Sequence, residues 1–567
     1  MHLAKDIVRS DTAELRKARG AFFTPYSIAK FLADWTIRDP RAGRVLDPTC
    51  GDGVFLLAAA ERLKDLGCTP SEIHDQIFGV DLHAASLDQS QANLEAGGFS
   101  GTLLPPGDFF QQALPSQIGS QLPEFDTILG NPPFVRYQTH RGDARKRSAS
   151  AALAQGVRLS GLASSWAALL VHASGFLKPD GRIAMVLPAE LMTVGYAEPI
   201  RRWLRARFAK VHLVLFERLQ FADAEEQVVL LVASGRGGCK TFNLHHVNTA
   251  DDLNKVHIFD TDSVIPVASG KWTDLLLPQA NRDAYSALTA ASFTSLSSFG
   301  QTELGTVTGA NKFFTLTEST RQEYGLKPGT QVQKVVPPGS RHLRGLGFSE
   351  GDWQQLRLEG ARVWLLNPED TQPRGGLKKY ISEGVEQGLN ETYKCSIRTP
   401  WWRPPRPWAP DLFFTYMSHI APRLISNHVE ASFVNSMHGV RLTESFPKEA
   451  VPALPLLSLN SVTALGAELQ GRSYGGGIVK MEPREASALP MPLVPHILAA
   501  WERLRHKQLT LEHSYRASSL ASVVEQVDEV LLSEVLEISK EDVGLIRGAL
   551  AKLRSRRIRG SSERAQK

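Results

Sequence analysis

The sequence predicts an α/β fold built on a mostly parallel sheet, followed by a mixed, β-rich domain and carboxyl-terminal helices. Three observations carry this expectation. From Gly43 to about Ser234 short apolar runs alternate with helical patterns. From Ser295 to Pro495 strand-like runs are broken by many glycines and prolines and by aromatic clusters such as Trp401, Trp402 and Trp408. From His496 onward the pattern is helical.

Taken in order, Arg44 to Leu46 reads as a strand entering a Gly-rich turn, and Val54 to Leu66 as the helix that leaves it. Ile77 to Val80 is a second strand, followed by the helical Ala84 to Leu94. Phe125 to Leu129 is another, and it must leave the sheet at Asn131-Pro132-Pro133, because prolines cannot extend a strand ladder. Ser165 to Leu177 reads as a helix, Arg182 to Leu187 as an apolar strand, and Val211 to Phe216 with Val228 to Val232 as a closing hairpin. Beyond Gly235 polarity is mixed without a period, which reads as a connection. The expected divisions are therefore 1–235, 236–294, 295–495 and 496–567.

A chain of 567 residues is too long for one compact core. With 42% hydrophobic and 22% charged residues, and no run near the roughly 18 apolar residues of a membrane span, it reads as a cytoplasmic enzyme with no membrane partner. Met1 to Arg9 shows no signal-peptide core. Cys50, Cys68, Cys239 and Cys395 lie far apart, which argues against a disulfide framework and against a zinc site; no metal is expected. A net charge of +5 is small, so clustering matters more than the total. Arg136, Arg141, Arg145, Lys146 and Arg147 crowd a Gly/Ser/Ala-rich stretch; Arg136, Arg145, Lys146 and Arg147 are candidate contacts to DNA phosphates. The run from Lys552 to Lys567 carries five arginines and reads either as a frayed terminus or as a second basic contact.

Val45-Leu46-Asp47-Pro48-Thr49-Cys50-Gly51-Asp52-Gly53 follows a predicted strand and opens a predicted helix, where glycines allow close backbone approach and the helix offers unpaired N–H groups. Asp81, in Gly79-Val80-Asp81, ends the next strand, where a carboxylate can accept both ribose hydroxyls. Asp108, in Gly107-Asp108-Phe109-Phe110, can accept an adenine amine beside an aromatic face. Together these imply an adenosine-containing cofactor. Asn131-Pro132-Pro133-Phe134 then points to chemistry on an exocyclic amine, whose lone pair is delocalised into the base ring. The Asn131 side-chain oxygen and the Pro132 carbonyl can accept the two amine hydrogens and localise that pair; the prolines hold the acceptors rigid, and Phe134 offers a stacking face.

These segments resemble the amino-group DNA methyltransferases of the TaqI-like group, and Gly20-Ala21-Phe22-Phe23-Thr24-Pro25 is similar to that family's motif before the Gly-rich turn. The resemblance implies a Rossmann-like class I methyltransferase domain over 1–235, a connecting region over 236–294, a target-recognition domain over 295–495, and a helical region with a basic tail over 496–567. It implies S-adenosyl-L-methionine as cofactor, with Thr24 and Pro25 at its methionine end, Asp47, Thr49, Gly51 and Gly53 around it, Asp81 on its ribose, and Asp108 and Phe109 on its adenine. It implies Asn131, Pro132, Pro133 and Phe134 as the catalytic set, with Phe134 and Phe221 stacking on an adenine flipped out of duplex DNA. Many members carry Tyr where this chain has Phe134, which keeps the stacking and removes a hydroxyl.

Gly305 to Phe314, Ser426-Asn427-His428, Ser436 to Gly439 and Gly471 to Gly477 are similar to recognition-domain segments of larger members, or are turns that support a scaffold. The expected role is modification, beside a separate cognate restriction endonuclease or alone, since no fused nuclease motif is evident. The rival readings are methylation of RNA or of protein glutamine, and a DNA-binding protein with an inactive methyltransferase domain.

Overall fold

The computed structural model describes residues 24–39, 43–135, 142–216, 228–255, 263–266, 271–369, 372–405, 407–474, 477–517 and 520–565. The chain divides into two compact units, Met1–Leu276 and Leu277–Lys567. Among the described residues no single helix is long and apolar enough to cross a membrane.

In the first unit nine described strands form one sheet: β1 (Val45–Asp47), β2 (Ile77–Gly79), β3 (Thr102–Leu103), β4 (Phe125–Gly130), β5 (Leu177–Pro188), β6 (Phe208–Phe216), β7 (Val228–Arg236), β8 (Thr241–Val247) and β9 (Ser263–Pro266). Their order is β3-β2-β1-β4-β5-β7-β6-β8-β9. Strands β1 to β5 pair in parallel. β7 runs antiparallel between β5 and β6. This is the expected Rossmann-like arrangement, and the apolar strand runs read from the sequence are its central strands. Helices α1 (Tyr26–Thr36), α2 (Val54–Asp65), α3 (Pro70–Gln76), α4 (Ala84–Ala96), α5 (Gly142–Ala154) and α6 (Ser165–Ser174) cross between or flank these strands. In α1 the buried Ile28, Ala29, Leu32, Ala33 and Trp35 recur at helical spacing and make one core-facing stripe.

Elements that the sequence reading did not name include Pro70–Gln76, Thr102–Leu103 and Glu198–Arg207, and the helix Gln279–Ser292 lies in the stretch read as a connection; two further differences have a clear physical reason. The basic Gly/Ser/Ala-rich stretch contains α5, whose weak apolar stripe buries only Ser148 and Ala152 and so left little periodic signal. Residues read as a connection after Gly235 supply β8 and β9, so the sheet does not close at the β6–β7 pair. The alternation in β8 is hidden because His245 is buried beside Phe242 and Leu244; its ring stacks on His212, 5.6 Å between centroids, and meets the edge of Trp35.

The second unit holds a five-stranded sheet in the order Gly300–Leu304, His438–Leu442, Leu412–Phe414, Leu424–Asn427, Gly347–Phe348, with smaller sheets beside it. Its core is aromatic: Phe313, Phe314, Phe348, Trp353, Trp364, Tyr380, Phe413 and Phe433 pack together, with Trp401, Trp402 and Trp408 half-buried against them. The tryptophans of the sequence cluster are thus packed into the scaffold. The basic run after Lys552 lies in the helix Lys540–Ala565. Arg557 there is buried and forms a two-pronged pair with Glu468 at 2.6 and 2.9 Å, and also donates to the His419 carbonyl at 3.0 Å. Asp528 is fully buried and accepts from the Ser461 amide at 2.8 Å, its hydroxyl at 2.7 Å and Arg547 at 2.9 Å. Burial pushes its carboxyl up, and these donors oppose that shift.

Removing one partner of a buried pair strands the other charge. Glu468→Ala should therefore lower stability by about 3–5 kcal/mol, whereas Arg503→Ala, whose partner Glu534 is half-exposed, should cost less than about 1 kcal/mol. Urea unfolding of the two full-length variants checks this; equal effects would mean that the buried Glu468–Arg557 pair adds no more than a surface pair.

Candidate functional site

Strand order reverses between β1 and β4: the chain proceeds from β1 to β2 and β3 on one side, and from β4 to β5 on the other. In an open parallel sheet the crevice at such a reversal, at the carboxyl ends of the strands, is where ligands bind. β1 ends there at Asp47 and β4 at Gly130, one residue before Asn131. β1 and β4 pair in parallel, and a Cβ on Gly130 would stand 3.0 Å from Asp47 Oδ1, a tight contact that glycine avoids.

The turn after β1 is built around two acids. Asp47 is buried, and its Oδ1 accepts the Thr49 amide at 3.0 Å. Burial pushes its carboxyl well above the usual range, the Thr49 bond opposes this, and the nearby charges of Asp81 and Asp52 reinforce it. Asp47 Oδ2 and Thr49 Oγ1 are buried without a hydrogen-bond partner among the described residues. Asp81 braces the same turn: one oxygen accepts the Gly51 amide at 3.0 Å and the other the His83 amide at 2.9 Å. Gly51 and Gly53 take φ of 54° and 80°, which ordinary side chains rarely adopt. At Gly53, the residue before α2, a Cβ would also lie 2.3 Å from Ser90 Oγ.

Asp108 precedes the short turn Phe109–Gln111 and accepts the Phe110 amide at 3.0 Å. Its other oxygen accepts Arg147 Nε of α5 at 2.8 Å, so a residue expected on DNA phosphates is paired with one expected on cofactor adenine. Phe109 is buried against His172 and Phe176, with centroids at 5.1 and 5.2 Å. Burial lowers the His172 pKa, and its ring bonds the Phe109 carbonyl at 3.2 Å.

Asn131 Nδ2 donates to Thr24 Oγ1 at 3.2 Å, which brings the segment before α1 onto the loop after β4. Pro25 immediately precedes α1. Pro132 and Phe134 are buried. Of the basic candidates, half-buried Arg145 bonds the Gly161 carbonyl, and exposed Lys146 pairs with Asp143 at 3.4 Å. Arg136, Arg141 and Phe221, with Gly20 to Phe23, lie outside the described residues.

The sequence reading did not single out Ser165, whose hydroxyl donates to the Pro133 carbonyl and accepts the Val135 amide at 3.0 Å. Nor did it find the neighbouring group in which Tyr196 bonds Glu190 and, at 3.0 Å, Ser164, and accepts Trp166 Nε1 at 3.3 Å. Burial pushes the Tyr196 phenol far up, and the Glu190 carboxylate adds to this. Neither group lies within 28 residues of the loop in sequence, so local patterning gives no signal for them. In the second unit the recognition-like segments are tied inward: Asn427 donates to the Pro410 and Ala431 carbonyls at 2.9 and 3.0 Å, and buried His438 meets the Met481 carbonyl at 2.8 Å.

Comparison with known proteins agrees with this arrangement. The family described as "N-6 DNA Methylase" matches residues 6–215, and the family described as "Type II methyltransferase M.Eco57I, C-terminal domain" matches residues 269–532. The type II methyltransferase M.XamI of Xanthomonas campestris pv. amaranthicola is 25% identical over 85% of this chain and 86% of its own length. The type II methyltransferase M.AccI of Acinetobacter calcoaceticus is 21% identical over 85% and 87% respectively. Among solved structures, the type IIL restriction-modification enzyme MmeI in complex with DNA shares the fold, with a TM-score of 0.50 over 91% of this chain and 73% of that one at 13% identity. With a methylase domain at the switch-point site and this carboxyl-terminal domain behind it in the chain, the protein belongs to the N6-adenine DNA methyltransferases of the type II restriction-modification kind.

Proposed function

We propose how the residues of this chain divide the work of its activity, the S-adenosylmethionine-dependent, sequence-specific methylation of adenine N6 in DNA that is typical of restriction-modification systems. The observation that carries the assignment is the Asn131-Pro132-Pro133-Phe134 loop leaving β4 beside a Gly-rich turn with unpartnered buried Asp47 and Thr49 atoms.

S-adenosylmethionine supplies an electrophilic methyl group on a sulfonium. Thr24, Pro25, Asp47, Thr49, Gly51 and Gly53 would surround its methionine end, Asp81 its ribose, and Asp108 and Phe109 its adenine. A cationic amino group suits Asp47, whose buried carboxyl has only the acids Asp81 and Asp52 as charged neighbours among the described residues. At the acceptor, the Asn131 side-chain oxygen and the Pro132 carbonyl take the two amine hydrogens, which localises the nitrogen lone pair toward the methyl group. The bond from Asn131 Nδ2 to Thr24 fixes the amide's orientation, so the arrangement costs little reorganisation at the moment of reaction. Phe134, with Phe221, would stack on an adenine flipped from the duplex, since a base inside the helix cannot reach a recessed cofactor. Arg136, Arg145, Lys146 and Arg147 would contact phosphates, and the second unit would read the sequence. The finer placement is the TaqI-like group, acting beside a separate cognate endonuclease or alone.

Asn131→Ala should bind cofactor and DNA while losing about 10²- to 10³-fold in turnover, because the lost acceptor matters chiefly in the transition state; single-turnover methyl transfer checks it, and near-normal rates would end the catalytic assignment. Asp81→Ala should weaken S-adenosylmethionine binding about 10- to 100-fold with a smaller effect at saturation; unchanged affinity by calorimetry would mean that another acid holds the ribose. A fragment ending near Gln279 should still bind S-adenosylmethionine yet lose selectivity for one sequence, keeping only weak, steeply salt-dependent DNA binding. If that fragment, once shown to bind cofactor, methylated the full enzyme's site with full selectivity, the second unit would not be the reader.

A further inference from the structure

The loop that carries the chemistry is poor in hydrogen-bond donors. Pro132 and Pro133 have no N–H, and pairing of β4 with β5 ends at Gly130 opposite Met185, so from Asn131 onward the sheet no longer holds the chain. Among the described residues it is held at Asn131 by the bond to Thr24 and, around Phe134, by Ser165. The Ser165 hydroxyl donates to the Pro133 carbonyl and accepts the Val135 amide at 3.0 Å, and the Ser165 amide donates to the Val135 carbonyl at 3.1 Å. The first two bonds lie on the two peptide groups that flank Phe134. Both are oriented from the first residue of α6, all ten residues of which are buried.

We propose that Ser165 is a positioning residue for methyl transfer: by fixing the peptide groups on either side of Phe134, its hydroxyl sets the direction of the Pro132 carbonyl and the plane of the Phe134 ring. The proposal rests on the assignment of Asn131 to Phe134 given above and adds a residue that touches neither cofactor nor base. Its neighbour Ser164 is the natural comparison. Both serines are 5% exposed, but Ser164 faces away from the loop's backbone bonds, toward Tyr196 at 3.0 Å and Glu190 at 3.4 Å. Losing a hydroxyl from either removes buried hydrogen bonds at the same helix start. Only at Ser165 does that release the catalytic loop.

The test uses the full-length protein, S-adenosylmethionine carrying a labelled methyl group, and genomic DNA prepared free of N6-methyladenine. Turnover and the S-adenosylmethionine dissociation constant are measured for wild type, Ser165→Ala, Ser165→Thr and Ser164→Ala. Ser165→Ala should lose on the order of 10- to 100-fold in kcat, the scale expected for a small misplacement of reacting groups, with cofactor affinity within about threefold of wild type. Ser165→Thr, which returns the hydroxyl, should recover most of the loss, and Ser164→Ala should stay near wild-type kcat. Wild-type kcat in Ser165→Ala would overturn the proposal. So would a parallel fall in turnover and cofactor affinity that Ser165→Thr does not repair, or an equal loss in Ser164→Ala, since each marks a role in folding alone. A wild type that binds S-adenosylmethionine but transfers no methyl to DNA would overturn the functional assignment itself, and the role of Ser165 with it.

Discussion

The contact between the ends of β1 and β4 sets the distances on which the site depends. At Gly130 a Cβ would stand 3.0 Å from the Asp47 carboxylate, so a larger residue would require that carboxylate to shift by a few tenths of an ångström, at the turn where it accepts the Thr49 amide. Strand order reverses at this junction, the point at which open parallel sheets place their ligand crevice. Asp47, Thr49 and Asp81 enter it from β1 and β2, and Asn131 from β4. Thr24 closes the group from the segment before α1, through its bond to Asn131.

Polar groups in this crevice are braced mainly by backbone. Asp81 receives two amides, Asp47 one and Asp108 one, which hold the carboxylates in place. The Asp108–Arg147 pair links the end of the adenine-side turn to α5, the helix that carries Arg145 and Lys146. A cofactor-side and a DNA-side candidate are thus joined by an ion pair, so movement of α5 would be felt at Asp108.

Much of the first unit is readable because its central strands are apolar runs and helices such as Tyr26–Thr36 bury one stripe, so the pattern survives without knowledge of partners. The Gly-rich turn and the Asn-Pro-Pro-Phe loop are likewise local: each is a short run whose chemistry and backbone needs lie in adjacent residues. β8 was not legible, because His245 is buried through stacking with His212, more than thirty residues away. The tail arginines were ambiguous for the same reason, since Arg557 is buried against distant partners, Glu468, 89 positions earlier, and the His419 carbonyl. The tryptophan cluster shows the converse: composition marked it, but only packing against Phe313, Phe314 and Phe433 assigns it to the scaffold.

By itself the sequence determined the α/β class, the order of the central strands and helices, and the short motifs in which glycine or proline leaves the backbone few conformations. The tertiary structure alone decided which distant groups complete those motifs: Thr24 against Asn131, Arg147 against Asp108, Ser165 around Phe134, and Glu468 beneath Arg557. Local backbone preferences act between neighbours along the chain and are written in adjacent letters. Satisfying a buried charge or carbonyl needs only a partner within about 3 Å in space, and nothing in the linear order says which residue that will be.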